Sequence, residues 1–208
     1  MMMRQFMIVI AAFVMLASAR TSASDDLLAR MAALNPDLHA YTATLRAHVI
    51  MTSLLGVSTD LVGTYYYKDP DRAKLVITSG LPGIASQFSK LYPHIVAPSR
   101  WQKVFVVTRS GDDGTLTHFA LVPRVRGNVD HIDAYVDDRT ATTTRMRWSY
   151  DNGGWAEMNN SYSTIDGNIL ITAQTGHVEE PYYKGNVSST LGDYQINPDL
   201  SDSIFEER

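Results

Sequence analysis

Six histidines are the first candidates for chemistry: His39, His48, His94, His118, His131 and His177. No two stand four apart on one helix, and no His-Glu-x-x-His pattern occurs, so a helical zinc site of that kind is excluded. His131 with Asp130 and Asp133 has ligand-type side chains close in sequence. Strand alternation, however, turns Asp130 to the opposite face, which leaves a solvated strand surface as the expectation. The paired carboxylates Asp112-Asp113, Asp137-Asp138 and Glu179-Glu180 lie at turns or strand ends. Adjacent strand residues point to opposite faces, so neither member can help the other as acid and base. There is no Gly-x-Ser-x-Gly elbow and no glycine-rich phosphate loop. Thr78-Ser79-Gly80 reads as a strand end. With no cysteine in the chain, a thiol nucleophile, thiolate metal sites, disulfides and a lipid anchor on cysteine are all excluded. The expectation is a non-enzyme without cofactor or metal.

The elements that would position these residues are mostly strands. From Tyr41 the chain alternates: Tyr41, Ala43, Leu45, Ala47, Val49 and Met51 share one face, with Thr42, Thr44, Arg46 and His48 opposite. Such a period of two, greasy on one side and wet on the other, belongs to an antiparallel sheet. A strand over 38–52 is followed by a TSLLGVS connection, where Leu54 and Leu55 either tuck into the core or make a sticky tip. Strands over 61–68 and 72–78 flank the Asp69-Pro70-Asp71 turn. Leu27, Leu28, Met31 and Leu34 form one stripe of a helix over 25–35, capped by Ser24 and closed before Pro36. Leu81, Ile84, Phe88 and Leu91 recur at three and four, predicting a second helix over 81–92.

From Trp101 onward the text is strand and turn. WQKVFVVTR and TLTHFALVPR flank Gly-Asp-Asp-Gly, and VDHIDAYVDD and TTTRMRWSY flank Arg139-Thr140-Ala141. Asp151 to Gly154 leads into WAEMNNSYST, and Asp166-Gly167 into NILITAQTGHV. A last strand lies within 187–197, then a short SDSIFEE turn. Met146, Trp148 and Tyr150 share a face expected to pack in the core. No repeat or low-complexity linker divides the chain, so one domain is expected. The predicted class is α+β: a single curved antiparallel sheet, an unclosed β-barrel, with helices covering its concave face.

The N-terminus reads as a secretory signal peptide. Arg4 precedes an apolar run of eleven residues from Phe6 to Leu16, and small residues follow. That run is short of the roughly twenty residues that span a bilayer. Cleavage is expected after Ala19 or Ala23, dividing a 1–23 leader from a 24–208 domain. The formal charge is −4 with no basic patch, so nucleic acid is not an expected partner.

Three segments resemble the LolA-like periplasmic carriers of bacterial lipoproteins. One is Gly63-Thr64-Tyr65-Tyr66-Tyr67-Lys68-Asp69-Pro70-Asp71-Arg72, similar to that family's Gly-x-aromatic-x-Lys-x-Pro stretch. Another is Phe119-Ala120-Leu121-Val122-Pro123 with the later Val136-Asp137-Asp138-Arg139-Thr140. The third is the closing Gly192 to Asn197 and Leu200 to Phe205. The resemblance implies a half-barrel with a helical lid over a hydrophobic cavity that shields acyl chains of lipoproteins or other lipids. It further implies a periplasmic location, an inner-membrane donor and an outer-membrane acceptor, and a monomer is expected. By pattern the groove is lined by Tyr41, Leu45, Val49, Tyr65, Tyr67, Leu75, Phe119, Leu121, Ile132 and Val136, with Ile84, Phe88 and Leu91 on the lid. The family's arginine before the proline is Asp69 here, so that switch residue is not carried over. Its extra strand pair ahead of the lid helix is missing as well. An envelope sensor or scaffold that binds a protein partner through the same fold is the alternative.

Overall fold

A computed structural model describes residues 24–54, 56–91, 96–181 and 183–206. The predicted leader therefore lies outside the described residues. A helix over 24–32 (α1) opens the described chain. It is followed by β1 (Ala40–Met51), β2 (Val57–Lys68), β3 (Arg72–Ser79), α2 (Pro82–Leu91) and the single turn α3 (Trp101–Val104). Seven strands complete it: β4 (Phe105–Asp113), β5 (Leu116–Pro123), β6 (Val129–Asp137), β7 (Thr142–Tyr150), β8 (Trp155–Ile165), β9 (Asn168–Glu179) and β10 (Lys184–Ile196). A short 3₁₀ turn, Asp202–Ile204, closes the chain end.

All ten strands form one antiparallel sheet in the order β3-β2-β1-β10-β9-β8-β7-β6-β5-β4. Hairpins place successive strands side by side within β1–β3 and within β4–β10, and β1 joins the last strand as well as β2. β3 and β4 are consecutive in sequence yet stand at opposite edges, so the sheet is not closed into a barrel. The chain between them carries α2 and α3.

The alternation of β1 is realised in its burial. Ala43, Leu45, Ala47, Val49 and Met51 are buried, and Leu45 has no exposed surface. The same buried cluster takes Leu27, Leu28 and Met31 from α1, Ile84 and Phe88 from α2, and Trp101 from α3. Each fully buried Leu or Phe there contributes about 1.5–3 kcal/mol against its exposed state. Met146 and Trp148 are core residues, as their face predicts, with Tyr150 packed against them.

Some boundaries differ for physical reasons. Trp101 to Val104 is helical instead of strand because Pro98 opens a tight turn and the Trp101 indole N–H donates to the Val96 carbonyl at 3.0 Å. The β4–β5 turn is narrower than Gly-Asp-Asp-Gly, since β4 continues through Asp113 after a bulge between Arg109 and Gly111. At the β8–β9 turn both Asp166 (φ 48°) and Gly167 (φ 79°) are left-handed, the twist that two-residue hairpins need. α1 ends short of the predicted residue 35, and Asn35 instead bridges to β9. Its side-chain amide donates to the Ile169 carbonyl and its oxygen accepts from the Ile169 N–H. Leu55 lies outside the described residues, as does the Leu54 side chain. No helix among the described residues is long and apolar enough to cross a membrane.

Candidate functional site: a tyrosine-walled cavity

Alternation on β1 and β2 sends Tyr41, Tyr65 and Tyr67 to the inner face of the sheet. Their rings gather as a wall. Tyr41 stacks on Tyr67 with centroids 5.1 Å apart and leans on Tyr65 at 5.9 Å and Tyr194 at 5.7 Å. Beside this wall lies a cavity of about 380 Å³, within the range of roughly 300–1,000 Å³ typical of small-molecule sites. Its remaining walls include Met31 of α1, Leu34 and Asn35 just beyond it, His39, Asp69, Val96 to Ser99 and Trp101, Thr142 and Thr143 of β7, Tyr162 of β8, Leu170, Ile171 and Gln174 of β9, and Leu191 of β10.

Several polar groups in and behind this lining are tied to the protein. The Tyr162 hydroxyl donates to the Thr143 carbonyl at 2.8 Å, and Asn160 donates to the same oxygen at 3.0 Å. Gln174, almost fully buried, donates to the Asn160 side-chain oxygen at 2.9 Å. The Tyr194 hydroxyl donates to the Ile171 carbonyl. Burial pushes the Tyr65, Tyr162 and Tyr194 hydroxyls up from the ordinary tyrosine range. Burial, then the neighbouring Asp69 and Asp71 carboxylates, pushes Tyr67 up to about 12. The wall is thus a place where charge is disfavoured.

A second, smaller cleft of about 50 Å³ lies towards the other end of β1, lined by Val49, Met51, Ile84, Phe88, Met158, Val178 and Val187 among others. Gly176 and Gly185 border it. A Cβ on Gly176 would stand 2.8 Å from the Met158 sulfur, and one on Gly185 would stand 2.7 Å from the Ile50 carbonyl.

The thirteen residues of the predicted groove therefore fall in separate places. Tyr41, Tyr65 and Tyr67 line the larger cavity, and Val49, Ile84 and Phe88 line the small cleft. Leu45, Phe119, Leu121, Ile132 and Val136 are packed into the core, and Leu75 packs half-buried against it. The Leu91 side chain lies outside the described residues. Sequence reasoning missed Gln174, Tyr162 and the threonines. Pairing of β8 with β9 slips between Ser161 and Tyr162, and pairing of β6 with β7 slips between Tyr135 and Val136, so bulges break the alternation that would have pointed to them.

The histidines and acids do other work. A bulge between Val129 and His131 overrides alternation and brings Asp130 to His131 at 2.8 Å, where opposite faces were expected. Asp133 joins them, 3.5 Å from His131 and 2.7 Å from His118. No group of three metal-type side chains among the described residues could hold an ion. Asp137 accepts from the Arg139 and Thr140 backbone N–H groups, which holds its carboxyl below the usual range. Glu180 accepts from Asn152 inside the β7–β8 turn, while Glu179 turns outward to Lys184. Asp137, Glu179 and Glu180 thus fasten turns, while Asp130 and Asp133 pair with histidines along β6.

Solved structures described as LolA superfamily and lipoprotein-sorting proteins share this open, single-sheet fold. A DUF1329 family protein from Desulfovibrio piger superposes with TM-score 0.64 at 14% identity, over 87% of this chain and 95% of that one. A LolA superfamily protein from Nitrosomonas europaea gives 0.63 at 9% identity, over 88% and 97%. A putative outer membrane lipoprotein-sorting protein domain from Vibrio parahaemolyticus gives 0.59 at 9%, over 88% and 94%. At such identities the likeness is one of fold. No family model and no curated protein matches the chain.

Proposed function

We propose that this chain is a non-enzymatic carrier of the bacterial envelope that shelters the acyl part of a lipid or lipoprotein from water. The observation that carries this reading is the cavity of about 380 Å³ inside an open sheet, walled by tyrosines and aliphatic side chains with Asn35, Thr142, Thr143 and Gln174 among them. Burial of acyl chain is worth about 0.8 kcal/mol per CH₂, so a modest enclosed length gives useful affinity. In this reading α1, α2 and α3 roof the concave face of the sheet. Among its described side chains α2 buries Ile84 and Phe88, and in this reading it is the lid above the small apolar cleft. Export through the 1–23 leader would place the carrier in the periplasm, between an inner-membrane donor and an outer-membrane acceptor. The lipoprotein-sorting description of the Vibrio domain of like fold supports that setting.

Mass spectrometry of a solvent extract tests the proposal, using mature protein purified from its native envelope without detergent. Stoichiometric acyl lipid or lipopeptide is the expected result. A clean extract, with no uptake of neutral or charged acyl probes, would overturn it.

The second reading is a sensor or scaffold that binds a protein partner, and it too has an observation behind it. The middle of the predicted groove is shut: Leu45, Leu121 and Val136 have no exposed surface. A clean extract together with capture of one defined envelope protein would favour that reading.

A further inference from the structure

The C-terminal turn lies over three cations. Strand alternation sends Lys68, Arg72 and Lys74 to the face of β2 and β3 opposite Tyr65, Tyr67 and Leu75. In the ladder Lys68 stands opposite Arg72, and Lys74 opposite Tyr66. Among the described residues, the side-chain partners of all three cations belong to 200–206. Lys68 donates to the Leu200 carbonyl at 2.7 Å and to Asp202 at 2.6 Å. Arg72 meets the same carboxylate at 2.8 Å and lies 5.6 Å from the centre of the Phe205 ring. Lys74 donates to the Glu206 carbonyl at 2.9 Å. The 3₁₀ turn Asp202–Ile204 makes this possible, because residues three apart eclipse there and bring carboxylate and ring to one guanidinium.

What holds this chain end down is polar. Leu200 is buried, but no residue from 201 to 206 is, and the Asp202 side chain is 66% exposed. Ion pairs as open as these contribute little and weaken in salt. Beneath the turn, β3 is an edge strand of the sheet, so a second chain can reach the cations once the turn lifts. We propose that Lys68, Arg72 and Lys74 form a docking surface for an acidic segment of a protein partner, with residues 201–206 as its built-in competitor. The competitor shows the chemistry the surface takes: a carboxylate, an aromatic ring three residues on, and backbone carbonyls towards the lysines. An anionic lipid surface fits less well, since it offers no ring to Arg72. The surface lies on the face away from the tyrosine wall and serves a carrier or a scaffold alike.

The probe is a fluorescent peptide of residues 199–208, titrated by anisotropy onto the mature protein and onto Asp202→Asn, whose own turn has lost its carboxylate. A tethered competitor acts at high effective concentration, so the peptide is expected to bind Asp202→Asn about tenfold or more tighter than the native protein. That binding should fade at about 0.5 M salt, where exposed charges are screened. It should also fade when Arg72→Gln or Lys74→Gln is added, each read separately so that one misfolded variant does not decide the outcome. The same peptide carrying Asp202→Asn should bind neither protein. Equal binding to the native protein and Asp202→Asn, or a gain that survives loss of the cations, overturns the inference and makes the turn a fastening only. Capture of phosphatidylglycerol vesicles in place of the peptide overturns it in favour of a lipid surface. A dimer of Asp202→Asn at rising concentration overturns it in favour of a second copy's chain end. None of these results touches the cavity, so the carrier reading stands or falls by the solvent extract.

Discussion

Gly63 and Gly111 both sit in strands, yet only one of them needs to be glycine. A Cβ on Gly63 would stand 2.6 Å from the Val76 carbonyl oxygen, a backbone atom that cannot swing away. Gly111 has open space around its missing side chain. Gly63→Ala should therefore cost about 1–3 kcal/mol in denaturant unfolding by overpacking, while Gly111→Ala should stay within about 0.5 kcal/mol. Equal costs would show that the β2–β3 approach is looser than it looks. The tyrosines give a second prediction at this scale. Folded Tyr67 and Tyr150 lie at about 12, above the ordinary tyrosine value of 10.0. A raised folded value means that stability is fully present below pH 10 and is lost as pH rises from there through the folded values. Near-ultraviolet phenolate absorbance should show some of the eleven tyrosines ionising late, together with unfolding. Full, reversible titration of all of them around pH 10 would mean that the wall is wet.

At the scale of elements, alternation and helical spacing made the sequence legible wherever pairing is regular. β1 is the clearest case, because its buried face is the one its sequence displays. Legibility ended at bulges, which add one residue and turn the rest of the strand over. Asp130, expected on the far face, reaches His131 across one bulge, and Gln174 enters the cavity beyond another. Nothing local in the sequence marks either slip, since both arise from long-range register. The division of the groove was equally hidden: whether Leu45 and Phe119 line a space or fill it depends on what packs opposite. A charge at either position would thus report on folding before it reported on cargo. The C-terminal turn offers an element-scale prediction. Asp202 pairs with Lys68 at 2.6 Å and Arg72 at 2.8 Å, fastening the chain end across β2 and β3. Hydrogen bonds from Lys68 and then Arg72 hold its carboxyl below the ordinary value of 3.8. The stabilisation is present above pH 3.8 and is lost as pH falls through that depressed value. Asp202→Asn should lower Tm at pH 7 and leave it unchanged near pH 2. A deficit that persists at pH 2 would assign the effect to the turn, not to charge.

For the whole molecule, an open sheet that keeps a cavity of about 380 Å³ holds stability in reserve, because unfilled space lacks the contacts a packed core would have. Filling it from inside and filling it with cargo should therefore compete. Leu34 stands at the cavity wall beside the tyrosines, and Leu34→Phe adds volume where the backbone has already left α1. Cavity filling of this kind commonly gives about 0.5–2 kcal/mol, so the variant without cargo should melt higher than the native protein. The native protein with an acyl ester at a hundred times its Kd should gain about 2.7 kcal/mol by mass action, or about 5–10 °C in Tm for a chain of this size. Leu34→Phe should show little of that second gain, since the space is taken. Differential scanning calorimetry of the two proteins, each with and without the ester, measures all four states. A variant that is stabilised and still gains the full shift would mean that cargo sits elsewhere, with the cleft beneath α2 the next place to probe. If ester raises neither melting point, the molecule carries no acyl cargo and its empty space serves another end.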